Sequence, residues 1–276
     1  MNRPALANTG PLSRQWPAGV APLLDLSRDN HVHTSLCLHA VGAMEEYVEA
    51  ALARGLTGLV FLEHFEAGIT SPRRTWLTAE DFAYYREEGE RLRRRYAGRI
   101  DIGLGVEVGY NPKEVAATKA FLAAHPWDRV GISCHFLDIG GRHYNLLSRD
   151  SRTLAVFDAY GVEQVLAAYF QLLAEAVELL PGTVLCHLDA ALRHHPEVAP
   201  ALASQMANPV LDQIFTVMAA RGMALEINTS GFDHRRGQAY PAPELLARAL
   251  DRNLALCPGS DAHRPEEVGR FFSELI

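Results

Sequence analysis

Along this chain, side chains that can bind metal follow short apolar runs, and this pattern restricts the folds that the chain can adopt. Six runs have the length and the leucine and β-branched content of buried strands, at 59–62, 102–106, 130–134, 183–186, 223–227 and 254–257. The segment before His31 supplies a seventh. Continuous apolar runs of this kind are typical of parallel strands that are covered on both faces.

Helical stretches separate these runs, and we predict helices at 43–54, 78–96, 113–124, 162–180, 209–221 and 243–252. Strand–helix alternation over residues 29–276 indicates one α/β domain, for which a barrel is the leading shape. Residues 1–28 carry four prolines and no continuous apolar stretch, so we expect an N-terminal extension rather than a signal peptide. A pro-segment and a cover for the bottom of the barrel are the alternatives for this extension.

The histidines collect at one end of the predicted strands. His31 and His33 are two residues apart, so both imidazoles face the same side of a strand. Seven of the twelve histidines follow the carboxyl ends of consecutive strands, which is the edge where barrel active sites are built. With two carboxylates they make nine ligand candidates: His31, His33, His39, His64, Glu107, His135, His187, Asp261 and His263.

This set of side chains indicates a metal centre. Imidazole and carboxylate without paired thiolates suit Zn, Fe or Mn in a hydrolytic site. Nine candidates exceed what one tetrahedral ion can use, so we predict two to three divalent ions that share a bridging carboxylate. Gly103, Gly105 and Gly109 come close to a dinucleotide-binding pattern, but the third glycine is one position late. We therefore expect no nucleotide cofactor.

Composition excludes several classes of partner. The chain has 26 Lys and Arg against 33 Asp and Glu, a net charge of −7, which argues against binding to nucleic acid or to an anionic membrane. We interpret the basic run at 91–95 as a solvated helix face. No run approaches the roughly 18 apolar residues of a membrane span. Four cysteines are too few for a disulfide scaffold, and as unpaired thiols they favour a cytoplasmic location.

Six short motifs occur in order along the chain: Asp29–Thr34, Glu63-His64, Glu107, Ser133-Cys134-His135, Cys186–Asp189 and Ser260–His263. Together they resemble the PHP (polymerase and histidinol phosphatase) superfamily over about residues 25 to 276. Glu226–Gly231, Tyr240-Pro241 and His135–Leu137 are more narrowly similar to its monofunctional histidinol-phosphate phosphatases. The extension before Asp29 is longer than the resemblance leads us to expect, and segment 138–150 matches no pattern of the family.

The resemblance implies a distorted (β/α)7 TIM-like barrel with a trinuclear metal site at the carboxyl edge of the strands. The three implied ion sites consist of His31, His33, Glu107 and Asp261; of Glu107, His135 and His187; and of His39, His64 and His263. The candidate catalytic residues are Glu107, Asp189, Asp261 and His263.

The resemblance also implies a substrate, which is a small-molecule phosphate ester. We expect hydrolysis of L-histidinol phosphate to L-histidinol and phosphate, a step of histidine biosynthesis, with a metal-bridging hydroxide as nucleophile. Asp189 is expected either to relay a proton or only to orient a ligand histidine.

Arginine is suited to phosphate because its planar guanidinium matches two phosphate oxygens. Arg193, Arg235 and Arg236 are therefore candidate phosphate-binding residues. The alternative function is a PHP-type phosphoesterase for another ester, such as a nucleotide. A non-catalytic metal-binding module is a third hypothesis, which the complete ligand set disfavours.

Overall fold

Seven parallel strands curl into a nearly closed barrel, as the sequence predicts. The computed structural model describes Val20 and residues 23–276, so most of the predicted extension 1–28 lies outside the described residues. The barrel strands are β1 (Arg28–Val32), β2 (Gly58–Glu66), β3 (Asp101–Gly109), β4 (Val130–Ser133), β7 (Val184–Leu185), β8 (Ala224–Asn228) and β9 (Leu256–Gly259). Each barrel strand pairs with the next barrel strand along the chain, and a parallel bridge between Val32 and Ala262 draws the first and last strands together.

Eight α-helices belong to the described part of the chain: α1 (Met44–Ala53), α2 (Ala79–Arg95), α3 (Val115–Ala123), α4 (Ser151–Tyr160), α5 (Val162–Leu179), α6 (Val198–Gln205), α7 (Pro209–Arg221) and α8 (Pro243–Leu250). Local sequence sets several of their ends. Thr78 and Asp81 form a capping box at the start of α2, and Gly222 ends α7 in the left-handed region. The six predicted helices are confirmed, whereas α4 and α6 were not predicted.

Segment 138–150 contains most of a β-hairpin and ends at Asp150, which caps the start of α4. Strands β5 (Phe136–Ile139) and β6 (Arg142–Asn145) pair antiparallel. Gly140 and Gly141 both have positive φ, as the two-residue turn of such a hairpin requires. The hairpin begins directly after His135 and therefore stands at the carboxyl edge of the barrel.

The inner face of β3 explains the glycine run. Side chains alternate along a strand, so one face of β3 carries Gly103, Gly105, Glu107 and Gly109. A Cβ atom on Gly105 would lie 2.7 Å from the carbonyl oxygen of Arg129 and from Leu62 Cδ1. A Cβ atom on Gly103 would lie 2.9 Å from Val60 Cγ2. The glycines make room inside a narrow barrel, and apart from the exposed Asp101 at the start of the strand they leave Glu107 as the one side chain on this face of β3.

The described part of the predicted extension packs against the barrel. Val20 and Leu24 are buried in a small apolar cluster with Ile227 of β8 and Leu246 of α8. Among the helices that the structure describes, none combines the length and apolarity needed to cross a lipid bilayer.

Replacing Gly105 with alanine tests this account of β3. The added methyl group meets a backbone oxygen that has no rotamer to change, so we expect G105A to lose about 1–3 kcal/mol of unfolding free energy. G103A is the matched control, because its methyl group meets only the Val60 side chain, and a smaller loss is expected. Urea unfolding monitored by circular dichroism measures both, and equal stability of G105A and the wild type would contradict the account.

Candidate metal centre

The nine predicted ligand side chains converge at the carboxyl edge of the barrel. The strands and the turns after them place these residues: His31 and His33 at the end of β1, His39 after a short 3-10 helix, His64 on β2, Glu107 on β3, His135 after β4, His187 after β7, and Asp261 and His263 after β9. All but His39 and His263 are buried. The parallel barrel thus brings together residues that are up to 232 positions apart (263 − 31).

Glu107 lies at the centre of this group, with a fully buried side chain. Its Oε1 atom is 2.8 Å from His187 Nε2 and 3.2 Å from His135 Nε2. Its Oε2 atom is 2.8 Å from His64 Nδ1. Burial alone raises the pKa of Glu107, but the surrounding imidazoles, His135 foremost, bring that pKa well below its usual value. The carboxylate is therefore held ionised, with each oxygen facing different histidines.

The first implied ion site is a tight group of four donors. His31 Nε2 and His33 Nε2 are 2.9 Å apart. Glu107 Oε2 lies 3.5 Å from the first of these nitrogens and 3.6 Å from the second. Asp261 Oδ1 lies 3.3 Å from His33 Nε2 and 3.9 Å from His31 Nε2. Four ligand atoms at such separations surround a space of the size that one divalent ion occupies.

The pair His39 and His263 gives an independent sign of a cation. Each Nδ1–H donates to a backbone carbonyl at 3.0 Å, that of Cys37 in one case and that of Asp261 in the other. A carbonyl oxygen only accepts, so in the neutral rings both Nε2 atoms carry lone pairs. These two Nε2 atoms lie 2.9 Å apart. Two facing lone pairs repel each other unless they share a cation, so the donor set fits a metal ion.

Two further carboxylates accept hydrogen bonds from ligand histidines, at the ring nitrogen that does not face Glu107. Glu226 Oε1 accepts the His31 Nδ1–H at 2.6 Å, and Glu66 Oε1 accepts the His135 Nδ1–H at 2.6 Å. Each contact turns the Nε2 lone pair of the ring toward the centre. Although burial disfavours its charge, Glu107 and Glu66 raise the pKa of His135 to about 10.

Sequence reasoning missed the roles of both carboxylates. The signal for Glu66 is its position two residues after His64, on the same face of β2. Glu226 lies in a stretch that resembles the family, but its partner His31 is on another strand, so its sequence position gives no sign of the contact.

Several buried atoms of the centre have no hydrogen-bond partner among the described residues. They include Glu107 Oε2 and His64 Nδ1, which are close but poorly aligned, and His187 Nδ1. Buried polar atoms without partners are rare and costly in folded proteins. Together with the imidazole and carboxylate chemistry, they fit a divalent-metal centre.

Among the described residues, Asp189 forms no hydrogen bond with a ligand histidine, contrary to the expectation for it. His187 has φ of +27°, so the strand alternation that would place Asp189 beside it ends there. Asp189 Oδ2 instead accepts from Arg236 Nη1 at 2.8 Å and from the Ala242 N–H at 3.1 Å. Burial raises the pKa of Asp189, and the Arg236 guanidinium opposes that shift. The pair ties the loop after β7 to the loop after β8.

Strand alternation alone would turn Cys186 away from His187, the ligand histidine that follows it, but the positive φ of His187 ends that alternation. Cys186 lies inside the barrel with Leu62, Val184 and Cys257. Cys134, which precedes the ligand His135, packs in the outer core between barrel and helices.

The three predicted phosphate-binding arginines have different surroundings. Arg193 lines a cavity of about 600 Å³ above the histidines. Arg236 is tied to Asp189, with a side chain only 10% exposed. Arg235 is exposed and lines a separate cavity beside α6. Of the three, only Arg193 lines the cavity above the candidate metal centre, and the expectation for Arg235 and Arg236 is not met.

The cavity above the histidines is rich in cations. Besides Arg193 its walls carry four arginines that the sequence analysis did not single out: Arg73, Arg149, Arg264 and Arg270. His194 and His234 also line it. Burial and Arg193 lower the pKa of His194 to about 4 and that of His234 to about 3, so both rings are neutral near pH 7. The cavity can therefore attract an anion although the whole chain is acidic.

Comparison with known proteins agrees with this arrangement. The family model for the PHP domain matches residues 29–230. A protein from Deinococcus radiodurans named "Probable histidinol-phosphatase" is 31% identical over 255 residues, which is 90% of each chain.

Two solved structures share the fold. The HisK structure from Listeria monocytogenes matches with a TM-score of 0.79 at 22% identity, over 89% of this chain and 98% of that one. Histidinol phosphate phosphatase from Lactococcus lactis, solved with zinc, L-histidinol and phosphate, matches with a TM-score of 0.70 at 21% identity, over 90% of this chain and 89% of that one.

The buried pair of Asp189 and Arg236 yields a stability prediction. R236A leaves a fully buried carboxylate without its cation, so we expect a loss of about 3–5 kcal/mol of unfolding free energy. R235A is the matched control, since Arg235 is an exposed neighbour, and we expect a change of about 0.5 kcal/mol or less. Urea denaturation of the two variants measures the difference. A loss in R236A no larger than that in R235A would contradict the structural role of the pair.

Proposed function

The chain belongs to the PHP domain family, and we propose that it is a phosphoric monoester hydrolase that converts L-histidinol phosphate to L-histidinol and phosphate. The observation that carries this proposal is the convergence of seven histidines and two carboxylates beneath an arginine-lined cavity. A phosphate monoester is a dianion, so a site for its hydrolysis must gather positive charge and hold it in place. The name of the Deinococcus relative supports the choice of substrate.

We propose two to three divalent ions, of Zn, Fe or Mn, at this centre. Their ligands are the nine side chains grouped as the resemblance implies, with Glu107 shared between two ions. When bound, such ions neutralise phosphoryl oxygens and lower the pKa of water. The zinc in the Lactococcus structure supports a divalent metal.

The chain's own residues supply the remaining parts of the site. Arg193 is half-buried beside the cavity, and its buried Nε–H has no partner among the described residues. We propose that this guanidinium binds phosphoryl oxygens, because it can donate to two of them at once. Asp261 and His263 line the same cavity, so they are proposed to face the reacting group. Asp189 is proposed as a structural partner of Arg236 and not as a proton relay.

Several features support a small substrate and a cytoplasmic location. A cavity of about 600 Å³ has the size of a small-molecule site, and a net charge of −7 disfavours a nucleic-acid partner. The four cysteines are all free, which suits a reducing cytoplasm. We further propose that residues 29–276 form the catalytic barrel and that 1–28 are an extension of it.

A phosphatase panel tests the substrate assignment. Purified full-length protein, loaded in turn with Zn²⁺, Mn²⁺ or Fe²⁺, is expected to release phosphate from L-histidinol phosphate much faster than from nucleoside monophosphates. The chelator-treated protein is the control and is expected to be inactive until metal is restored. Equal or reversed rates would favour the alternative, a PHP-type phosphoesterase for nucleotides. Full activity without metal would contradict the proposed metal centre.

A further inference from the structure

Glu226 makes contacts to two parts of the metal centre at once. It lies in the middle of β8 with a side chain that is 2% exposed. Oε1 accepts from His31 Nδ1 at 2.6 Å, and Oε2 accepts from the backbone N–H of His187 at 2.8 Å. The two oxygens of one carboxylate therefore hold residues at the ends of two different strands, β1 and β7.

The residues that Glu226 holds face opposite oxygens of Glu107. His31 Nε2 lies 3.5 Å from Glu107 Oε2, whereas His187 Nε2 lies 2.8 Å from Glu107 Oε1. In the proposed centre these two oxygens serve different ions. Glu226 thus supports one ligand of each of these two ions.

His187 depends strongly on this support. Its φ of +27° is a backbone conformation that L-residues rarely adopt and that costs free energy. Its Nδ1 atom has no hydrogen-bond partner among the described residues. Two hydrogen bonds of its backbone fix the turn from which the imidazole extends: its N–H donates to Glu226, and its carbonyl oxygen accepts from the Ala190 N–H at 2.9 Å.

The support continues along the stretch that resembles histidinol-phosphate phosphatases. Asn228 Nδ2 donates to Glu226 Oε2 at 3.0 Å. Ser230 Oγ lies 2.6 Å from Asn228 Oδ1 and 3.3 Å from Asp261 Oδ2. The alternate residues Glu226, Asn228 and Ser230 therefore form a buried polar row that ends on a third proposed ligand.

Gly259 of β9 leaves the space for this arrangement. A Cβ atom there would lie 2.1 Å from Glu226 Oε1 and 2.8 Å from His31 Cβ. No side chain larger than hydrogen fits between the carboxylate and the β1 strand. The close approach of Glu226 to His31 is thus built into two neighbouring strands.

We propose that Glu226 is a positioning residue shared by two ion sites, orienting His31 at one and His187 at the other, so that the affinities for both ions depend on this one carboxylate. The inference rests on the proposed metal centre. It goes beyond the proposed reaction, because it assigns joint control of two ion sites to a residue that would touch neither ion.

Glu66 provides a matched comparison within the same protein. It is buried like Glu226 and accepts from the Nδ1 atom of a ligand histidine at the same distance of 2.6 Å, but among the described residues it accepts from His135 alone. Glutamine keeps the volume of either side chain. At position 226 it removes the charge that strengthens both contacts and offers a single accepting oxygen where donors approach from two sides, so one contact is lost and the other is weakened whichever way the amide turns.

The test measures zinc content and not activity. Full-length wild type, E226Q and E66Q are equilibrated with a series of chelator-buffered free Zn²⁺ concentrations, and zinc per chain is determined by atomic emission. Loss of a carboxylate behind a metal ligand typically weakens metal binding about 10–100-fold. We expect E66Q to show that weakening for one ion and E226Q to show it for two ions together.

Each outcome has a clear meaning. Zinc binding by E226Q that equals the wild type, or that is weakened for one ion only, overturns the inference. If E226Q does not fold by circular dichroism, E226D replaces it, because its shorter side chain keeps the charge but cannot reach both donors. A wild type that takes up no zinc overturns the proposed metal centre and the inference together. The expected zinc pattern without hydrolysis of L-histidinol phosphate overturns the proposed substrate alone.

Discussion

The position of Glu107 is the constraint on which the rest of the site depends. An ionised carboxylate in the interior of a protein is stable only if positive charge or hydrogen-bond donors surround it. Here five histidines from four strand ends approach its two oxygens: His31, His33, His64, His135 and His187. The histidines in turn crowd one another so closely that lone pairs meet, as at His39 and His263. The negative charge of Glu107 stabilises metal ions bound between the ligand atoms, and those ions in turn stabilise the buried charge.

The barrel supplies this arrangement through the sequence of β3. Glycines on both sides of Glu107 leave room for neighbouring side chains, so the barrel closes tightly below the centre and opens into a cavity above it. Glu66 and Glu226 then fix the imidazoles from behind, and arginines line the entrance. The net charge of −7 is therefore a poor guide to the site, because the acidic groups next to the centre are enclosed by the histidines that they orient.

The sequence analysis predicted those features of the fold and the site that local motifs and strand periodicity determine. The histidines at strand ends, the strand–helix alternation and the order of the barrel strands follow from period and motif. Asp189 could not be placed in this way, because the left-handed turn at His187 breaks the periodicity on which its assignment depended. Arg235 and Arg236 are adjacent in the sequence, but one is exposed and the other is buried against Asp189. Glu226 was missed because its partners lie on other strands. The hairpin β5–β6 could have been predicted from the sequence, since Gly140 and Gly141 between β-prone residues indicate such a turn.

The most direct test of this account is a crystal structure of the zinc-loaded protein with an anomalous difference map. The account predicts two separate zinc peaks, one beside each oxygen of Glu107. His31 and His33 would bind one of these ions, and His135 and His187 would bind the other. A map in which Glu107 coordinates no ion, or in which both of its oxygens bind the same ion, would contradict the central role of this carboxylate.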